Sequence, residues 1–126
     1  MSRDGRFVKV CHADGSPLPL RIRRCDTFFC RLQGLMFRRA LEPEEALLFM
    51  ESGESRVATS IHMFFVPFSI AVVWMAADGT VVDAQLAKPF RPYYAPKAPA
   101  KYYLEAAPEL LRWVRIGEVL TINLES

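Results

Sequence analysis

Apolar and polar residues alternate along most of the chain, and this period of two is typical of β-strands with one buried and one exposed face. In residues 18–24, Leu20 and Ile22 share one side while Arg21 and Arg23 point to the other. The same pattern predicts about eight short strands, at residues 6–12, 18–24, 46–50, 57–63, 70–75, 80–84, 101–106 and 118–124. Strands do not alternate with long helices, which predicts antiparallel pairing.

The strongest local prediction is a hairpin from Ile70 to Leu86. Its first arm is almost entirely apolar, which indicates a central strand covered on both faces. Asp78-Gly79 supplies a tight turn between the two arms, because such turns require positive φ angles. Asp14-Gly15 predicts a similar turn after the first strand.

Two short helices and one stiff loop complete the pattern. Asp26 or Thr27 can cap a helix over residues 28–33, and Pro108 can begin a second helix that runs through Trp113. Four prolines within residues 88–99 exclude both a helix and a central strand there. The sequence therefore predicts a mainly β fold: a compact antiparallel β-sandwich or barrel of about eight short strands with two short helices, in a single domain spanning residues 1–126.

Composition limits the partners and the compartment. The 126 residues contain 16 Lys and Arg against 14 Asp and Glu, a net charge of +2, which argues against a nucleic-acid-binding protein. No apolar run reaches the roughly 20 residues of a membrane-spanning helix, so no membrane span is predicted. The first residues lack the apolar segment of a signal peptide, which predicts a cytoplasmic protein. Three cysteines, an odd number, favour reduced thiols over a disulfide framework.

Charge is nevertheless unevenly distributed. Residues 1–40 contain nine basic and three acidic side chains, a net of +6, whereas residues 41–87 contain one basic and seven acidic, a net of −6. If the basic side chains cluster in space they can attract an anionic ligand. If these side chains instead lie on solvated strand faces, they form at most exposed ion pairs, which contribute little to stability.

Several segments together resemble the uncharacterised bacterial and archaeal family called domain of unknown function 192. The matching segments are Gly34-Leu35-Met36-Phe37-Arg38, Ala46-Leu47-Leu48-Phe49, Ile61-His62-Met63, Asp78-Gly79, Leu104-Glu105 and Arg115-Ile116-Gly117-Glu118-Val119. The resemblance implies a compact, mainly β domain and no established activity, cofactor or catalytic residue. The resemblance implies two departures: many members have Phe-Trp-Met where this chain has Ile61-His62-Met63, and many have aspartate where this chain has Ala71. Many members also resemble exported or membrane-anchored proteins.

The residue types predict no metal site and no cofactor. Cys11 and His12 point to opposite faces of a strand and cannot easily share an ion. A copper site that joins His62 to Met36, Met50, Met63 or Met75 is conceivable, but methionines that fill the core are the preferred explanation. Cys25, just before a predicted helix, is a candidate thiolate only if a base such as His62 lies beside it. Asp83 is expected on a solvated strand face, and Glu109 in the first turn of the second helix.

Two charged residues lie within apolar segments and are the most informative. An isolated buried charge is very unfavourable, so Arg38 and Glu105 are expected to form a structural ion pair. Alternatively, Arg38 and His62 line a pocket for a carboxylate or phosphate group, with Tyr93 and Tyr94 of the proline-rich loop as further contacts.

Two functions follow from these candidates. The first is a binding or interaction module with a concave surface formed by Arg38, His62, Tyr93 and Tyr94, whose partner is a protein or a small molecule, an anionic one among the candidates. The second is a small hydrolase or transferase that uses His62 with a nearby carboxylate or thiol. The module is preferred because no catalytic motif is present; the neighbours of His62 distinguish the two.

Overall fold

One seven-stranded sheet forms the centre of the computed structural model, which describes residues 7–25 and 41–124. The strands are β1 (Phe7–Cys11), β2 (Arg21–Cys25), β3 (Glu45–Ser55), β4 (Ile70–Met75), β5 (Val81–Ala87), β6 (Ala100–Ala106) and β7 (Thr121–Leu124), with a 3₁₀ helix at Pro108–Arg112 before β7. Their order across the sheet is β5-β4-β6-β3-β2-β1-β7. The mainly β prediction is confirmed.

The sheet curls until its two edges approach each other at one end. Thr80, just before β5, forms an isolated bridge with Val119, just before β7. The amide of Leu120 donates to the carbonyl oxygen of Gly79 at 2.9 Å, and the amide of Val81 donates to Glu118 O at 2.8 Å. Strands β5 and β7 do not pair along their length, so the sheet is a strongly curled, open relative of the predicted barrel.

The strand pairs are antiparallel, with one exception that corrects the sequence prediction. Strand β2 pairs with β3 in parallel, from Arg21 opposite Glu45 to Cys25 opposite Phe49. Parallel neighbours require a crossover connection that returns the chain to the starting end of the sheet. Residues 26–40, where the first helix was predicted, belong to that connection and lie outside the described residues.

Each face of the sheet has its own hydrophobic cluster. The first cluster contains alternate residues of the central strands, such as Leu48, Val73 and Leu104, and the 3₁₀ helix covers it through Leu110. The second contains the intervening residues, such as Val72 and Trp74. All six residues of β4 are buried, which confirms the prediction that this strand is covered on both faces.

The segment predicted as a strand at residues 57–63 is not one. It forms turns at residues 56–59 and touches the neighbouring segment only through a bridge between Ile61 and Tyr94. Residues 88–99 form a loop, as the four prolines predict. The predicted second helix is present as a short 3₁₀ helix that begins at Pro108.

Candidate functional site

Two loops, residues 56–69 and 88–99, run side by side over the second cluster, and we call them the loop pair. Backbone hydrogen bonds join them in both directions between Ile61 and Tyr94, at 2.8 and 2.9 Å. A further bond joins the two loops: the amide of Met63 donates to the carbonyl oxygen of Arg91 at 2.7 Å. The pairing places His62 beside the Tyr93-Tyr94 segment, two positions that the sequence separates by about thirty residues.

Buried side chains attach the loop pair to the sheet. The indole nitrogen of Trp74 on β4 donates to the carbonyl oxygen of Thr59 at 2.7 Å. Asp83 on β5 accepts from the backbone amide of Lys97 at 3.1 Å and from the side chain of Gln85 at 2.9 Å. These buried bonds give both loops a fixed position relative to the strands.

Asp83 therefore differs from its predicted role. The sequence placed it on a solvated strand face, but it is buried and its carboxylate oxygens accept hydrogen bonds from the loop and from β5. Strand alternation alone could not show this, because the proline-rich loop covers the face that would otherwise be solvated. Glu109, in contrast, is exposed in the first turn of the 3₁₀ helix, as predicted.

Each loop contains a turn with a phenylalanine in the left-handed backbone region. The amide of Val66 bonds the carbonyl oxygen of Met63, and Phe65 within that turn has a φ of 62°. In the turn from Lys88 to Arg91, Phe90 follows Pro89 and has a φ of 64°. Glycine or asparagine is the usual residue at this position of a type II turn, so both phenylalanines hold strained backbones.

The two turns display aromatic side chains to solvent. Relative exposures are 47% for Phe64, 56% for Phe65, 60% for Phe90 and 61% for Tyr93. The Met63–Arg91 hydrogen bond holds the turns next to each other, so these rings belong to one surface. We call these four residues and His62 the aromatic loop surface. Large exposed apolar side chains grouped on two adjoining turns are typical of an interaction site.

The charged side chains of the loop pair are all cationic. Residues 56–69 and 88–99 contain Arg56, Lys88, Arg91 and Lys97 and no aspartate or glutamate. All four cationic residues are exposed; Arg91 directly follows Phe90, and Lys88 lies two residues before it. Cations grouped without counter-charges raise the local potential and attract anions.

His62 lies on this surface without a catalytic partner. Its Nδ1 accepts the backbone amide hydrogen of Phe64 at 3.1 Å, and its ring lies 5.0 Å from the Phe64 ring, centroid to centroid. Within residues 7–25 and 41–124, no carboxylate or thiol is hydrogen-bonded to it. The histidine that does contact a carboxylate is His12, whose Nδ1 lies 2.9 Å from Glu118 Oε1. Sequence reasoning missed this pair because 106 positions separate its members.

Tyr93 and Tyr94 have different environments although they are adjacent. Tyr93 is exposed, whereas Tyr94 packs against the second cluster and its hydroxyl oxygen accepts the amide of Lys88 at 2.8 Å. Tyr94 thus shapes the turn that presents Phe90, and Tyr93 faces solvent. The phenylalanines Phe64, Phe65 and Phe90 were not among the predicted site residues; the signal that could have found them is Pro67 and Pro89, which mark turns within apolar segments.

Glu105 is buried on β6 between Leu47 of β3 and Val72 of β4. Burial raises the pKa of its carboxyl group to about 7. In the part of the chain that the structure describes, no side chain or amide donates a hydrogen bond to this carboxyl group. Arg38, its predicted ion-pair partner, lies outside the described residues, so the pair stays a prediction.

The cysteines differ from the expectation of reduced thiols. Cys25, at the end of β2, is disulfide-bonded, whereas Cys11 is a free and buried cysteine. An odd number of cysteines requires only that one remain unpaired, so the count could not exclude this bond. Among the described residues, no group of three or more histidine, cysteine, aspartate or glutamate side chains is placed to hold a metal ion.

With this geometry in view, comparisons with other proteins define the family. A sequence model of DUF192, described as an uncharacterized ACR family, matches residues 9–122. The chain belongs to the DUF192 family. A UPF0127 protein of Pyrococcus furiosus is 34% identical over 111 residues, which is 86% of this chain and 92% of that protein. A UPF0127 protein of Thermococcus sibiricus is 42% identical over 107 residues, 83% of this chain and 68% of that protein.

Solved structures share the DUF192 fold at lower identity. A "putative transcription regulator" from Sinorhizobium meliloti has a TM-score of 0.79 and 23% identity, with 96% of this chain and 95% of that chain covered. A protein of unknown function from Novosphingobium aromaticivorans has a TM-score of 0.74 and 20% identity, covering 91% and 83%. At these identities the likeness shows the fold alone. No specific activity is established for the family members found.

Ala71, the position at which the family resemblance implies aspartate in many members, is fully buried in the first hydrophobic cluster. It lies opposite Ala106 of β6 and Leu86 of β5. This is the face of the sheet away from the loop pair. The change at this position therefore does not alter the aromatic loop surface.

The strain at Phe90 leads to a stability prediction. We expect Phe90→Asn to raise the free energy of unfolding by about 1 kcal/mol, because asparagine tolerates the left-handed region that phenylalanine occupies at a cost. Urea unfolding of both proteins measures the change. Phe7→Asn is the matched control, since Phe7 is also exposed but has no positive φ, and it should bring no gain. A loss of stability in Phe90→Asn would show that the turn is not strained.

Proposed function

We propose that this DUF192 protein is a binding module and that the aromatic loop surface is where its partner binds. The observation that carries the proposal is the combination of four exposed aromatic rings with adjacent cations and no acidic residue in either loop. Such a surface matches a partner that has both an apolar and an anionic part. The predicted contacts His62 and Tyr93 belong to this surface, Tyr94 supports it from beneath, and Arg38 remains a predicted contact.

The strained turns support a binding role rather than a purely structural one. Phe65 and Phe90 each hold a left-handed conformation that glycine or asparagine would adopt more easily, and Phe90 is mostly exposed. Neither burial nor backbone preference accounts for phenylalanine at position 90. Residues kept in sparsely populated conformations cluster at functional sites.

The alternative, a hydrolase or transferase that uses His62, receives less support. General-base catalysis requires a histidine whose second nitrogen is oriented by a carboxylate or that contacts a nucleophile. His62 instead uses Nδ1 to accept a backbone amide hydrogen within its own turn. We therefore favour binding over catalysis.

An anionic aromatic dye tests the proposal. 1-Anilinonaphthalene-8-sulfonate combines fused rings with a sulfonate group, and its fluorescence rises on transfer to an apolar site. We expect saturable binding to the folded protein at neutral pH. The double variant Phe90→Asn/Tyr93→Ser should bind about tenfold more weakly, because two rings leave the contact surface.

The control for this experiment is Ile116→Ser. Ile116 is an exposed apolar residue on a turn outside the loop pair, and its exposed fraction resembles that of the loop aromatics. Its substitution should leave dye affinity unchanged. If the control lowers affinity as much as the double variant, or if neither changes it, the aromatic loop surface is not the binding site.

The compartment also remains open to test. Within the described residues, no helix combines the length and hydropathy that a membrane crossing demands. A cytoplasmic location stays a prediction from the sequence. Disulfides persist mainly in oxidising compartments, so the oxidation state of Cys25 in intact cells bears directly on it.

A further inference from the structure

We propose that the aromatic loop surface binds the headgroup region of a membrane that contains anionic lipids. This inference rests on the proposed function, since it names the partner of the same surface. Its basis is the juxtaposition of phenylalanine rings at two adjacent turns with the cations Lys88 and Arg91.

The rings occupy turn positions that reach into solvent. Phe64 and Phe65 are the central residues of the turn closed by Met63 and Val66, and Phe90 is central in the turn from Lys88 to Arg91. Two turns held together by a backbone hydrogen bond can enter the headgroup layer together without unfolding. Each phenylalanine then transfers apolar area out of water.

Lys88 and Arg91 are placed to contact lipid phosphate groups when the neighbouring ring enters the headgroup layer. Lys88 and Arg91 are exposed and flank the ring of Phe90 in sequence, so shallow insertion of the ring brings both close to the headgroups. The long stems of lysine and arginine can bury while their charged ends stay at the polar boundary. An anionic leaflet attracts such cations, and neither loop contains a carboxylate side chain that would be repelled by it.

The acidic group that contacts the loops does not oppose this attraction. Asp83 lies beneath them, is buried, and has its oxygens occupied by the amide of Lys97 and by Gln85. The charged side chains of the loop pair are thus all cationic, and they lie beside exposed aromatic rings.

Single-stranded nucleic acid is the competing partner for aromatic and basic surfaces, and it fits less well. Proteins that bind single-stranded nucleic acid usually combine stacking aromatic rings with a continuous basic groove that follows the phosphate backbone. Here Arg56 is engaged by a hydrogen bond from its Nε to the carbonyl oxygen of Pro96 at 2.7 Å. The whole chain has a net charge of only +2, which favours a local apolar contact over a long polyanion.

Vesicle co-sedimentation with the full chain tests the inference. Vesicles of phosphatidylcholine alone are compared with vesicles containing about one third phosphatidylglycerol. We expect the protein to sediment with the anionic vesicles and far less with the neutral ones, and the bound fraction to fall as salt is raised. Lys88→Glu/Arg91→Glu should lower partitioning at least about tenfold, since each cation near an anionic surface contributes about fivefold.

Two further variants separate charge from apolar insertion and from nonspecific attraction. Phe64→Ser/Phe90→Asn should lower partitioning even at low salt, because it removes rings and keeps every cation. Lys9→Glu changes an exposed lysine on β1, outside the loop pair, and should have a much smaller effect than the double charge reversal. Equal losses from the Lys9 and loop-cation variants would contradict a localised membrane site.

The outcomes distinguish this inference from the proposed function. Dye binding at the aromatic loop surface without vesicle binding overturns the membrane assignment and leaves the binding module intact. Binding to single-stranded oligo(dT) in preference to anionic vesicles overturns it in favour of nucleic acid. If the unaltered protein binds neither the dye nor the vesicles, the proposed function is overturned as well.

Discussion

Glu105→Gln is expected to stabilise the protein above pH 7, by up to about 3 kcal/mol. Burial raises the pKa of Glu105 from an ordinary value of 4.5 to about 7, so at higher pH the folded protein must keep a charged carboxylate in an apolar environment. Glutamine has nearly the same shape and cannot ionise. Unfolding in urea at several pH values measures the difference.

The pH dependence has a defined sign. Between pH 4.5 and about 7 the folded state holds the proton on Glu105 while the unfolded state has released it. The unfolded state therefore binds fewer protons, and the free energy of unfolding falls as pH rises through this window. Below pH 4.5 the cost of burying the charged carboxylate does not affect stability, and above about pH 7 the full cost is present. The Gln variant should lack this contribution.

Glu109→Gln is the control, since it makes the same chemical change at an exposed position.

The same urea unfolding measurement also tests the predicted ion pair between Arg38 and Glu105. If Glu105→Gln instead loses several kcal/mol at high pH, the carboxylate has a cationic partner such as Arg38, and the raised pKa is wrong. Carbon-detected NMR titration of Glu105 in the unaltered protein gives the pKa independently of variant stability.

Gly79→Ala should destabilise the protein by about 3–5 kcal/mol. Gly79 has a φ of 93°, and a Cβ atom at this position would collide with the backbone carbonyl oxygen of Leu120. The Leu120 amide also donates to Gly79 O, so backbone must move and the contact between the β4–β5 turn and the segment before β7 must loosen. Thermal and urea unfolding measure the loss.

Gly15→Ala separates the two contributions to this effect. Gly15 has a nearly equal φ of 91°, but a Cβ there would meet no atom within 4 Å. Its substitution carries only the conformational strain, about 1–2 kcal/mol. Similar losses in the two variants would mean that the approach to Leu120 contributes nothing beyond the backbone angle.

The parts of the fold that the sequence predicts well are local. The β4–β5 hairpin follows from an apolar run, the Asp78-Gly79 turn and a return arm, all within 17 residues from Ile70 to Leu86. The 88–99 loop follows from its prolines, which cannot donate backbone hydrogen bonds. In both places backbone chemistry determines the structure before any distant partner is present.

Features that depend on distant partners were not predictable. The parallel pairing of β2 with β3 joins strands that are separated by residues 26–40 in the sequence, and strand alternation does not encode the direction of a neighbour. The 57–63 segment has the alternation of a strand, yet hydrogen bonds from Trp74 and Tyr94 hold it as a covering loop. Asp83 is buried for the same reason, because the covering loop comes from elsewhere in the chain.

The candidate site was predictable in part. His62 and Tyr93 were singled out by residue type, and the loop pairing places them on one surface. The phenylalanines of this surface, Phe64, Phe65 and Phe90, were not among the predicted contacts. Apolar residues are expected to be buried when only the sequence is known, and it is the folded structure that shows Phe65 and Phe90 exposed to solvent.

The pairing of β1 with β7 has a consequence for synthesis on the ribosome. Val8 lies opposite Leu124, so the first described strand gains its outer neighbour only when the last one has left the exit tunnel. Until then the nascent chain exposes an unsatisfied strand edge to chaperones and to other chains. Slowed translation of the codons that encode β7 should therefore lengthen the period of vulnerability to aggregation.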